Sequence, residues 1–159
     1  MGQRWNFFKE SDASWGMFYP KNYLVAGYGS RERAEEVKAR LLDAGFPADE
    51  VATASGAFVV EQLEHDPEPG FLDRMKQEIA RAVGTEAGYI DDDLKHAREG
   101  GAFLFVYVPT DEAVARARRV IDASAPVLAR RYMALGIERY TYPPQSRIQQ
   151  ESRKAAARQ

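Results

Sequence analysis

"YLVAGYGSRERAEEVKARLLDAG", residues 23–45, is the stretch on which the fold turns. Its first six residues are β-formers with no internal breaker, which predicts a strand over Tyr23–Tyr28. Ser30 can accept a backbone N–H and cap a following helix. Along that helix Ala34, Val37, Leu41 and Ala44 recur at helical spacing and predict one buried stripe. Gly45 is placed to end the helix in the left-handed conformation, with Phe46 packing back and Pro47 confirming the stop. The plan returns at residues 103–125, "FLFVYVPTDEAVARARRVIDASA". There an apolar strand meets a Thr110 cap, Asp111 and Glu112 suit the positive end of the helix dipole, and Val114, Ala117 and Ile121 face inward. "EVATA", residues 50–54, supplies a short second strand, and the last strand falls within 127–142. Residues 129–134 are favoured for it, with 137–142 as the alternative or an added edge. Two strand–helix–strand units of this kind predict an α+β protein: a four-stranded sheet with helices on one face, the ferredoxin-like plan, each crossover right-handed.

Residues 55–99 separate the two halves and read as a helical insertion. "SGAFVVEQLEHD", residues 55–66, has the propensity of a strand at Phe58-Val59-Val60 but the spacing of a helix at Val59, Val60 and Leu63; a short helix is the reading adopted. Leu72, Met75, Ile79 and Ala82 predict a second helix within 67–84. Thr85 then caps a third, with Ala87, Ile90, Leu94 and Ala97 on one face and Gly100 at its end. The domain so defined spans 23–142. An aromatic arm, residues 1–22, precedes it, and a polar tail, 143–159, follows; residues 145–159 of the tail carry four basic side chains against one acidic.

The chain of 159 residues suits one domain with one core. A net charge of −2 gives no global field to draw it onto nucleic acid or an anionic membrane. Without cysteine there are no disulfides, thiol nucleophiles or thiolate-bound zinc. The N-terminus lacks the apolar core of a secretory signal, and the longest strongly apolar run, residues 102–108, is far short of the roughly 20 residues that span a bilayer. A soluble, cytoplasmic protein is expected.

"YLVAGYGSRERAEEVKARLLDAGFPADEV" and "IDDDLKHAREGGAFLFVYVPTDEAVARARRVI" resemble the two halves of YflT-like bacterial general stress proteins. In that family a Ser/Thr-capped helix leads to "AGF" and an acidic turn, and a later helix ends in Gly-Gly before an apolar strand. The likeness covers roughly residues 23–134. It implies an association with stress and carries no agreed catalytic residues. The arm and the basic tail are additions to the family pattern.

Several residue sets bear on chemistry. Gly27 and Gly29 follow a strand and precede a helix, as in a dinucleotide-binding turn, but Glu32 stands where the third glycine belongs, and no Gly-Lys-Ser/Thr follows. An ordinary strand-to-helix turn is favoured, with no micromolar affinity for ATP, NAD or FAD. Glu61 and His65, and Asp92 and His96, are each spaced i, i+4; if their helices meet, the four could hold a divalent metal. Exposed helix faces are the plainer reading, because nothing in the sequence fixes one helix against the other. No spacing implies a catalytic dyad, so no catalytic residue is assigned, no cofactor is called for, and an enzyme is not expected. Phe103, Phe105 and Tyr107 alternate on one strand face, as in RNA-reading sheets, yet no basic-glycine-aromatic motif precedes them, and nucleic acid is disfavoured.

A sheet covered by helices on one face leaves the other apolar. Trp5, Phe7, Phe8, Trp15, Phe18 and Tyr19 of the arm, with Phe103, Phe105 and Tyr107 of the sheet, are therefore read as interface residues. The expectation is a non-enzymatic, stress-associated protein that binds or assembles, as a homodimer or higher homo-oligomer; the arm packs on the open sheet face either of its own subunit or across a dimer, with exchange across a dimer favoured. A small-ligand or divalent-metal sensor is the alternative; the sequence identifies no ligand.

Overall fold

The computed structural model describes residue 9 and residues 20–64, 88–133 and 136–141. In chain order these form β1 (Tyr23–Tyr28), α1 (Arg31–Asp43), β2 (Val51–Ser55), α2 (Gly56–Glu64), α3 (Gly88–Arg98), β3 (Ala102–Tyr107), α4 (Asp111–Ala123), β4 (Leu128–Met133) and β5 (Gly136–Thr141). The fold is α+β, with one antiparallel sheet of order β2-β3-β1-β4-β5. β1 and β2 flank β3, and β3 and β4 flank β1, so the two strand–helix–strand units interleave and put the apolar β1 and β3 at the centre.

Local chemistry sets the helix ends. Ser30 Oγ accepts from Arg33 N at 3.2 Å and Thr110 Oγ1 from Ala113 N at 3.1 Å. α1 closes with Phe46 N donating to Leu41 O and Gly45 N to Leu42 O, both at 3.1 Å, with Gly45 at φ +102°. Ala34, Val37 and Leu41 of α1 and Val114, Ala117 and Ile121 of α4 are buried against Leu24, Ala26, Leu104 and Val106 of the sheet. That layer is the main core. The insertion starts as a helix: α2 follows β2 directly, and Ser55 Oγ accepts from Phe58 N at 3.1 Å. Ile90, Leu94 and Ala97 of α3 are buried as the spacing predicts. The helix expected within 67–84, the Thr85 cap, the aromatics of the arm and the basic tail lie outside the described residues.

Two predictions are corrected. Helices lie on both faces of the sheet rather than one, because α3 of the insertion packs on the face of Phe103 and Arg130. The sheet has five strands, not four: residues 128–133 and 136–141 both pair, and β5 joins β4 with a shift in register between Ala129 and Arg130. The added edge is held by its own alternation. Tyr140 turns to the α4 side, where the Arg118 guanidinium stacks 4.0 Å from its ring, while Ile137 pairs with Tyr132 on the other face. No described helix is long and apolar enough to cross a membrane.

Candidate functional site

Strand alternation sorts the sheet's second face. Register places Tyr23, Val25 and Gly27 of β1 beside Tyr107, Phe105 and Phe103 of β3, and Gly27 and Val25 beside Leu128 and Arg130 of β4. α3 lies over this face. The His96 ring meets Phe103 edge-on at 5.2 Å between centroids, and its Nε2 is 3.3 Å from the Ala102 carbonyl oxygen. His96 is 8% exposed. Two glycines make room for it. A Cβ on Gly27 would lie 2.8 Å from Leu128 Cγ and 3.1 Å from His96 Nε2, and one on Gly101 would clash with the His96 ring. Gly27 thus serves the approach of a helix-borne side chain to the sheet. Gly29 has open space around it, and Ser30 already caps α1.

Three residues earlier, the same helix makes an ionic contact. Arg130, 2% exposed, donates from Nη1 to Asp93 Oδ1 and Oδ2 at 2.8 and 2.9 Å, and to Tyr132 Oη at 3.0 Å. Burial pushes the Asp93 carboxyl above its ordinary value, against the pull of the Arg130 guanidinium. Burial also works against the charge on Arg130, but the oxygens of Asp93 and Tyr132 outweigh it and hold the guanidinium protonated. The clamp joins α3 to β4 and fixes where the insertion sits.

A second polar contact closes one end of the sheet. Lys9 N donates to Tyr23 Oη at 3.0 Å, and Lys9 Nζ lies 3.3 Å from Glu50 Oε1, 3.5 Å from Asp49 Oδ2 and 5.5 Å from the centre of the Tyr107 ring. The Tyr23 and Tyr107 rings touch, with centroids 5.2 Å apart. Hydrogen bonding to Glu50 raises the Lys9 ammonium above its ordinary value, and burial raises the Tyr23 phenol although the Lys9 N–H opposes it.

The residues singled out by sequence fall in different settings. Glu61 is exposed on α2, Asp92 is half-buried on α3, His96 is enclosed beneath α3, and His65 lies outside the described residues. Among the described residues no group of three histidine, aspartate or glutamate side chains is disposed to hold a metal. Phe103 and Phe105 are buried within the chain itself, at 1% and 3% exposed, while Tyr107 is half-buried beside Lys9. Trp5, Phe7, Phe8, Trp15, Phe18 and Tyr19 lie outside the described residues. Sequence reasoning missed Asp93, Arg130, Tyr132 and Lys9. Its one available signal was the pair Arg130-Arg131 inside an otherwise apolar strand, where alternation forces one arginine inward. Comparison with family models, with curated proteins and with solved structures gives no match.

Proposed function

We propose that the protein is non-enzymatic and acts by binding or self-assembly, on a ferredoxin-like sheet extended by an edge strand and interrupted by a helical insertion. The strand order β2-β3-β1-β4 supports the fold reading, with β5 as the addition. The stress association rests on the resemblance of residues 23–134 to general stress proteins.

The observation that carries the functional reading is the use of the ionisable groups. Asp93 and Arg130 tie the insertion to the sheet, and Lys9 ties the arm to Asp49 and Glu50. Each contact joins one segment of the chain to another, so these groups serve packing, and what remains for function is binding or assembly. Light scattering coupled to size exclusion tests this, with native mass spectrometry on the same sample. The expected result is a homo-oligomer with no retained small molecule. A monomer that carries a ligand or metal through purification overturns the reading in favour of a sensor.

A further inference from the structure

The insertion leaves the sheet and returns to it at a single place. Ser55, the last residue of β2, and Ala102, the first of β3, are partners in one ladder. Glycines stand at both crossings. Gly56 opens α2 with its backbone against α3, where a Cβ would clash with the Ala97 and Gly101 carbonyl oxygens. Gly100 follows α3 at φ +89° and donates to Ala97 O at 3.1 Å, and Gly101 N donates to His96 O at 3.0 Å. α1 and α4 are tied differently. Each runs between two strands that have a third strand between them, so neither can swing away without pulling on the sheet.

The two helical layers also differ in what they bury. α1 and α4 lay apolar stripes on the sheet. To Ile90, Leu94 and Ala97, α3 adds the His96 ring and the pair of Asp93 with Arg130, whose side chains are 16% and 3% exposed. Two charges brought together out of water give up hydration that offsets much of their attraction, and they recover it when the contact opens. Such a pair fixes a position but contributes less to closure than apolar side chains of similar volume would.

We infer that α2 and α3 form a hinged cover, turning at Gly56 and Gly100-Gly101 and latched by Asp93 on Arg130, that opens as one unit while the sheet stays folded under α1 and α4. Opening needs no ladder bond to break, because both stems sit at the Ser55–Ala102 pair, and it bares Phe103 and Arg130 on the sheet.

Hydrogen exchange of the unmodified full chain, followed by mass spectrometry at rising sub-denaturing urea, reads the layers separately. The slowest amides of α2 and α3 are expected to exchange through one shared opening, roughly tenfold or more as populated as the one that exposes β1 and β3, and with a smaller urea dependence. Two variants identify which contacts each opening breaks. Ile121→Val lies in the α4 layer, whose contacts survive when the cover opens. It is expected to speed exchange of β1 and β3 about threefold to tenfold and to leave α2 and α3 unchanged. Asp93→Asn is expected to speed both, because the latch is lost in either event. If α2 and α3 share the rate and urea slope of β1 and β3, or respond to Ile121→Val as those strands do, the insertion opens only when the whole molecule unfolds, and the cover is overturned. Exchange of α3 residue by residue with no urea dependence would be fraying of a helix rather than the opening of a unit, and would overturn it as well.

Discussion

Gly27 shows how one residue can suggest one chemistry and serve another. Its place after a strand resembles the start of a phosphate-binding turn, yet its missing side chain is what admits His96 and Leu128. A Gly27→Ala variant overpacks that contact and is expected to cost about 1–3 kcal/mol of stability, read as a lower urea midpoint. An unchanged midpoint would show that the ring and Leu128 yield without cost. Tyr28 makes a second residue-level case. Ser124 Oγ donates to Ile121 O at 2.6 Å, which leaves the Tyr28 hydroxyl to donate to Ser124 at 2.7 Å. Burial raises the phenols of Tyr28, Tyr23 and Tyr140. A phenol whose pKa rises on folding adds stability that is complete below about pH 10, where the unfolded side chain ionises, and lost as pH climbs through the folded value. Urea midpoints are therefore expected to fall above about pH 10, less steeply in Tyr28→Phe. The same slope in both proteins would remove Tyr28 from the account.

The insertion is held by an ionic contact at the element scale, and its two partners are not equivalent. Asp93→Ala leaves a guanidinium buried and unable to lose its proton; it is expected to cost about 3–5 kcal/mol. Arg130→Met leaves a carboxyl that burial already pushes up, so Asp93 takes a proton and stays neutral. Arg130→Met should therefore cost less, and since a raised carboxyl favours the folded state in acid, its deficit should shrink between about pH 7 and about pH 5. Chemical denaturation at both pH values checks this; equal costs with no pH dependence would contradict it. The elements themselves were legible. The stripes Ala34–Val37–Leu41 and Val114–Ala117–Ile121 and the caps Ser30 and Thr110 are local signals, and each appears where the spacing put it. The inward arginine was not legible, because Arg130 and Arg131 point to opposite faces and only the register with Val25 and Leu24 decides between them. The histidine socket was hidden for a similar reason: residues 27, 96, 101 and 128 meet only once the sheet and insertion are assembled.

For the whole molecule, the described residues form one sheet with a helical layer on each face, and Lys9 marks where the arm returns to it. The central claim is that this arm joins copies of the chain. Six aromatics in the first nineteen residues are costly to leave in water, at about 1.5–3 kcal/mol of burial energy each. The most direct measurement is the solution mass, by light scattering across a concentration series, of the full chain and of a chain lacking residues 1–19, with melting temperature and hydrophobic-dye binding recorded on each. The account predicts a dimer or larger assembly for the full chain, and for the shortened chain a monomer or aggregate that melts lower and binds more dye. Equal masses, equal melting temperatures and equal dye binding would contradict it.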